Sequence, residues 1–471
     1  MTDTAELQRI FAAQQANRWR IARTSADERI AKLGRLGAAI AARREEIAAA
    51  AHADFRKPPT EVELTEIHAV LAEVRHACRH LRRWMRPQRV RTPLLLFGTA
   101  SEIRYEPRGV VLILAPWNYA FSLIVEPLVA AIAAGNCAVL KPSGKTPHTS
   151  ALLKRLIGEL FGAAEVAVVE GRADVGQALL DLPFDHVFYT GSTRVGHTVM
   201  AAAARHLSSV TLELGGKSPT IVDETADIRA AAERVVWGKY VNAGQTCVAP
   251  DYVLVHASRT AGFISEAKRA LAALYGGTDE ARATSPDYCR LVDAHAFARL
   301  KDVLDRTVAG GAVIVTGGQS DAAERYLAPT ILSDVTFESP VMAEEIFGPI
   351  LPVLAYTDLD DALARMRSLG KPLALYLFSR RRAAVEHVLA NTTAGGTAVN
   401  VTLLHYANSN LPFGGVGASG MGSYHGIHGF RTFSHARAVL HQRVPALVRF
   451  FFPPYSGALP RLARRMLRFL E

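Results

Sequence analysis

A cysteine closes the stretch NAGQTC at residues 242–247, and a glutamate opens ELGGKSP at residues 213–219, directly after an apolar run. A thiol and a carboxylate are the minimum pair for covalent attack on a carbonyl. The thiolate adds, and the carboxylate moves a proton to or from water. Small residues before Cys247 let a carbonyl approach, and backbone N–H groups there can lower the thiol pKa. Four more stretches stand beside this pair: PWN at 116–118, LKPS at 140–143, GSTRVG at 191–196 and EEIFGP at 344–349. Taken singly, each has an ordinary structural use. A cysteine packs as a small apolar residue, an Asn such as Asn118 forms turns, and Ser192 suits a helix N-cap. Glu213 can be a solvated strand end, and Phe347 can be core.

The elements that must carry these stretches follow from apolar periodicity. Residues 4–57 read as helical, with Ser25 and Glu28 at capping-box spacing, up to Pro58 and Pro59. Thr60 and Glu63 have the same spacing and predict the start of a second helix, ended by Pro87. Residues 88–108 read as extended. From 109 onward, strands are predicted at 110–114, 137–140, 166–169, 186–189 and 210–212, with helical segments between them. That rhythm implies a parallel sheet covered on both faces. PWN, LKPS and GSTRVG each follow a strand directly, where such sheets hold their ligands. A second α/β set has helices near 226–237, 259–274, 293–308, 358–368 and 382–390, and strands near 251–255, 312–315, 351–355, 373–378 and 396–400. The glycine-rich stretch 411–422 reads as a tight loop, and 432–440 as a final strand.

Together the six stretches resemble the NAD(P)-dependent aldehyde dehydrogenase superfamily, closest to its class 3 and coniferyl-aldehyde dehydrogenase-like branch. The resemblance implies an α/β fold with three parts. A Rossmann-like cofactor domain takes 1–87 and 109–212, a catalytic domain 213–425, and a small β oligomerisation arm 88–108 and 426–442. It implies a catalytic set of Cys247 as nucleophile, Glu213 as base and Asn118 as oxyanion donor. For the cofactor, NAD or NADP, it implies Pro116, Trp117, Lys141, Ser143, Gly191, Ser192, Gly196 and Leu214. Lys141 would hold the adenosine ribose, and the Gly191 turn the pyrophosphate. Glu345 would meet the nicotinamide ribose and Phe347 its ring. Many NAD-preferring members carry Glu where this chain has Gly144, so a 2′-phosphate meets no repulsion, and Lys145 adds a cation next door. The usual PWN-aromatic-Pro pattern is broken here by Ala120. No metal is required. The implied product is a carboxylic acid made from an aromatic or medium-to-long aliphatic aldehyde by a homodimer. A relative that passes the acyl group to coenzyme A would not need Glu213, and a silent binding protein would not need Cys247, Glu213 and Asn118 together.

The chain has 471 residues, 49% apolar and 21% charged, which suits two or three soluble domains. Its four cysteines, Cys78, Cys137, Cys247 and Cys289, show no CxxC spacing, so a reducing, cytoplasmic setting is the default. Cys78 and Cys137 lie in apolar patterns and Cys289 on a polar loop. The net charge of +10 is uneven. Residues 75–91 and 443–471 are both arginine-rich, with no nucleic-acid module beside them. In the tail, Leu459, Leu462, Met466 and Leu470 recur at helical spacing opposite arginines. Such a helix can pack on the protein or its dimer mate, or lie peripherally on an anionic membrane.

Overall fold

A computed structural model of the chain describes residues 4–444 together with 452–454, 461 and 465. Of the amphipathic helix expected in the tail, the apolar positions Leu459, Leu462, Met466 and Leu470 lie outside these residues. Two sheets organise the rest. The first contains five parallel strands: Val110–Leu114, Cys137–Lys141, Val166–Val168, His186–Thr190 and Ser209–Glu213. Numbered in that order, they lie side by side as fifth, fourth, first, second, third. The chain direction across the sheet therefore reverses between the first strand and the fourth, and ligands of such sheets sit in the crevice at that reversal. The short strand Gly420–Met421 pairs antiparallel with Ser209–Glu213, bringing Gly420 opposite Glu213.

The strand Val110–Leu114 is buried at every position, as its unbroken aliphatic run requires of a central parallel strand. The apolar stretch after PWN folds as the helix Ser122–Ala134, buried throughout, and re-enters the sheet after Gly135 in the left-handed conformation. The second sheet has seven strands. Sequence periodicity missed two of them, Pro219–Val222 and Thr330–Ser333. Both are four residues long, too short to show a period. A third sheet joins Gln88–Val90, Thr99–Pro107 and Ser434–Gln442.

The N-terminal helices follow their caps. Ser25 and Glu28 form the expected reciprocal capping box. The second expected box does not form. Pro59 occupies the first turn of a short helix, Pro59–Val62, capped by Pro58 without a side-chain bond. The chain then passes through a wide π-helical turn, Glu63–Ile67, into His68–Trp84. Proline's fixed φ starts the helix one residue before Thr60 could cap it. Thr432 ends the helix Gly426–Thr432, so the last strand starts two residues later than expected. Cys289, expected on a polar loop, is buried.

Candidate active site

The nucleophile turn is built from the end of the helix Ile228–Tyr240. Asn242, Ala243 and Gly244 follow it with φ of 54°, 50° and 73°. Left-handed backbone suits Asn and Gly and costs Ala energy, so three such residues in a row need support from their surroundings. Buried amides supply it. Asn242 Nδ2 donates to Asn118 O at 2.9 Å and Gln245 O at 3.1 Å, while Gln245 Nε2 donates to Asn242 O and Arg290 O, both at 3.1 Å. Gln245 Oε1 accepts from the Val292 N–H at 3.0 Å. A β-carbon on Gly244 would come within 2.3 Å of Gly348 O, so glycine lets this turn sit directly on the EEIFGP segment.

Asn118 belongs to the same lattice. It is buried, and its Nδ2 donates to Gln245 O at 3.0 Å. An amide carries two N–H groups, so the second is available beside the Cys247 turn. The PWN turn itself is held from below by a buried ion pair that sequence spacing did not reveal. Lys57 Nζ lies 2.7 Å from Glu66 Oε1, 3.5 Å from Asn118 O and 3.8 Å from the Tyr119 ring centre. Glu66 Oε2 accepts from the Phe121 and Ser122 N–H groups at 2.8 and 3.3 Å. Those N–H groups open a helix and have no partner within it. With Ala120 in place of the usual proline, this carboxylate fixes the turn.

Glu213 ends its strand buried, and neither carboxylate oxygen has a hydrogen-bond partner among the described residues. Burial holds its pKa far above the usual carboxylate range. Cys247 is half-exposed, and its thiol is pushed up to about 12 by desolvation, then by Glu345 and Glu213. Glu345 is itself raised to about 8, by desolvation first and Asp251 second. Its Oε2 would lie 1.9 Å from a β-carbon on Gly215. Gly215 therefore makes room for Glu345, while Gly216 lies against Leu373 and Pro372. Lys217 keeps this segment in place: it pairs with Asp251 at 2.6 Å and donates to Glu344 O at 2.8 Å.

The cofactor candidates line the crevice at the strand reversal. Pro116 and Trp117 follow the first strand and Gly191 the fourth, all half-exposed. Ser192 caps the helix Thr193–His206, accepting from the Val195 N–H. Gly196 packs on Leu214, whose Cδ2 would lie 2.9 Å from a β-carbon there. Phe347, at φ 48°, presents edge-to-face to Trp117 at 5.4 Å. Lys141 ends the second strand half-buried, its pKa lowered by that burial, and Ser143 accepts from the Lys145 N–H at 3.2 Å. Lys145 turns elsewhere, into an ion pair with Asp293 at 2.7 Å. The side chain packed against Gly144 is Arg172, whose Cγ would lie 3.4 Å from a β-carbon on Gly144. Arg172 is exposed and was not singled out from sequence, because it comes from a different βα turn. The Gly191 turn, opening into the N-terminus of the helix Thr193–His206 at the strand reversal, and a buried carboxylate without a hydrogen-bond partner among the described residues fit a dinucleotide entering from this side.

On the other side of Cys247 is a mainly apolar cavity of about 360 Å³. Leu64, Trp237 and Leu404 line it and are exposed, which marks its mouth. Its walls come from segments scattered between 64 and 425, so no local motif announces it.

The family model described as "Aldehyde dehydrogenase family" matches residues 2–439. The 4,4'-diaponeurosporen-aldehyde dehydrogenase of Staphylococcus aureus is 47% identical over 426 residues, covering 90% of this chain and 92% of that protein. "Aldehyde dehydrogenase family 3 member B1" of Rattus norvegicus is 43% identical, over 96% and 94%. "Probable coniferyl aldehyde dehydrogenase" of Pseudomonas aeruginosa is 40% identical, over 98% and 96%. Among solved structures, the substrate-bound state of Staphylococcus aureus AldH superposes with a TM-score of 0.93 at 44% identity, covering 98% of this chain and 99% of that one. The NAD+ complex of a Bacillus cereus aldehyde dehydrogenase gives 0.85 at 26% identity, over 93% and 89%.

Proposed function

Since the chain belongs to the aldehyde dehydrogenase family and is an NAD(P)-dependent aldehyde dehydrogenase, we propose that Cys247, Glu213 and Asn118 convert its aldehyde to a free carboxylic acid through a cysteine thioester. The observation that carries this reading is the shared lattice: Asn118 Nδ2 sits 3.0 Å from Gln245 O, two residues before the thiol. Cys247, as thiolate, adds to the carbonyl carbon. The oxyanion so formed takes hydrogen bonds from the second Asn118 amide N–H and the Cys247 backbone N–H. When bound, the nicotinamide supplies the hydride acceptor that turns the thiohemiacetal into a thioester. Glu213 then takes a proton from water as the water attacks the thioester, and the acid leaves with Cys247 restored. Both carboxylates beside the thiol raise its pKa, and an oxidised nicotinamide, being cationic, offsets them.

Gly144 supports acceptance of NADP as well as NAD: it carries no carboxylate to repel a 2′-phosphate, and the exposed Arg172 packs the base of its side chain against the place. The six-stranded sheet with its helices forms the cofactor domain, the seven-stranded sheet the catalytic domain, and the three-stranded sheet the arm of a cytoplasmic homodimer. Aromatic or medium-to-long aliphatic aldehydes suit the apolar cavity and match the coniferyl and family 3 relatives. The test is reduction of NAD and of NADP, followed by absorbance, across a panel from benzaldehyde and coniferyl aldehyde to long alkanals, with Cys247→Ala as control. Turnover that disappears in the variant supports the reading. Consumption of coenzyme A, or no turnover with any aldehyde, overturns it.

A further inference from the structure

The aldehyde cavity is mainly apolar, and its polar lining residues include Glu73, Glu126, Tyr406, Ser409 and His425. None of them was reached from the sequence, and the chemistry at Cys247 does not use them. His425 is the unusual member. It is 4% exposed, and its Nε2 makes no hydrogen bond among the described residues, although Glu126 Oε2 lies 3.4 Å away. Its backbone adopts φ 76° and ψ 136°, a conformation that side chains other than hydrogen rarely accept. The surroundings enforce it. Glu73 Oε1 accepts from the next N–H, that of Gly426, at 2.7 Å. Phe413 stacks on the imidazole at 5.5 Å, and Tyr406 meets it edge-on at 4.7 Å. Tyr406 Oη donates to Glu126 Oε2. A strained residue, held on three sides, thus keeps a ring nitrogen that makes no hydrogen bond among the described residues, 3.4 Å from a carboxylate, at the wall of the same cavity that holds the thiol.

A buried polar group without a partner is costly in a folded chain, and a ligand group can supply that partner. A hydroxyl both donates and accepts, so one hydroxyl can serve the carboxylate and the imidazole together. A terminal carboxylate on the substrate would face Glu73 and Glu126 and be repelled. We propose that His425 and Glu126 form a subsite for a hydroxyl group carried by the aldehyde substrate away from its carbonyl. The enzyme therefore prefers hydroxyl-bearing aldehydes to their deoxy counterparts and rejects aldehydes that end in a carboxylate. This rests on the aldehyde-oxidising reading above and narrows it.

The experiment compares three matched series over a ladder of chain lengths: ω-hydroxyalkanals, plain alkanals and ω-carboxyalkanals, in the full-length enzyme and in His425→Phe. At the length that reaches the wall, the hydroxyl raises kcat/KM by about tenfold over the alkanal. The carboxylate series falls below both. In the variant the hydroxyl-to-alkanal ratio collapses towards one. If His425→Phe does not fold, His425→Gly removes the ring and suits the backbone, and the same ratio is read. Alkanal turnover with no hydroxyl preference at any length overturns the subsite and leaves the aldehyde reading intact, as does a preference that survives removal of the ring. No oxidation of any aldehyde overturns both.

Discussion

Glu213 shows how a single residue can be poorly placed for stability and well placed for chemistry. Its folded pKa is raised by burial, so the unfolded chain ionises first as pH climbs. Its stabilising contribution is complete below the unfolded carboxylate value, near 4.3, and drains away as pH rises towards the folded value. Glu213→Gln removes that drain. The variant should match the wild type near pH 4 and melt higher at pH 8, by on the order of 1–3 °C in calorimetry. Catalysis should move the other way: a single burst of reduced nicotinamide, then steady turnover slowed by roughly 10²–10⁴-fold as thioester hydrolysis fails. A variant with an undiminished steady rate would falsify the assignment of the base. A raised value also sets the pH profile. Cys247 is needed without its proton, and its thiol is pushed up to about 12, so kcat/KM should climb with pH through the alkaline range. A profile falling above pH 7, in protein that stays folded, would contradict this.

At the scale of elements, what positions Asn118 is the join between the helix Ser122–Ala134 and the π-helical turn Glu63–Ile67, bridged by Lys57 and Glu66. Breaking that pair by Lys57→Met leaves a buried charge unpaired and should cost roughly 3–5 kcal/mol in denaturant unfolding. The double variant Lys57→Met with Glu66→Leu removes both charges and should recover most of that loss. Activity should not recover with it. Without Glu66 the Phe121 and Ser122 N–H groups lose their acceptor, the Asn118 amide drifts, and kcat stays down by about tenfold to a hundredfold with KM little changed. A double variant that regains full kcat would show that the pair serves folding only. This network also marks where reading the sequence stops. The strand Val110–Leu114 and the helix Ser122–Ala134 were legible to the residue, because their burial is dictated by local pattern. Cys247, Glu213 and Asn118 were legible because motifs carry them. Lys57, Glu66 and His425 were not. Each meets its partners through the fold, and a lysine before two prolines has no local signature of burial. Arg172 escaped for the same reason, whereas Lys145, the neighbour of Gly144 in sequence, pairs with Asp293.

For the whole molecule, the open question is what covers the third sheet. The strand Ser434–Gln442 pairs along all nine residues with Thr99–Pro107, and as the sheet's last strand it presents an edge that no strand among the described residues pairs. Most of its side chains are exposed. Long exposed edges invite strand addition, and folded proteins leave them bare only when something blunts or covers them. A second copy of the chain is the covering consistent with an oligomerisation arm, and residues 443–471 are the alternative, because they continue from this same edge. Two truncations separate these. Removing 434–471 takes away the edge itself, and light scattering should then show a monomer or an aggregate. Removing only 443–471 should leave the dimer mass unchanged if the edge pairs between copies. Dissociation on the shorter cut would mean that the tail, not the strand, joins the subunits. The shorter cut also isolates the tail's arginines. If they lie on a membrane, co-sedimentation with anionic vesicles should be lost while turnover of a small aromatic aldehyde, whose route to Cys247 runs through the mouth at Leu64, Trp237 and Leu404, stays intact. Vesicle binding that survives the cut would move the contact to that exposed apolar rim, where an aldehyde dissolved in the bilayer could enter without crossing water.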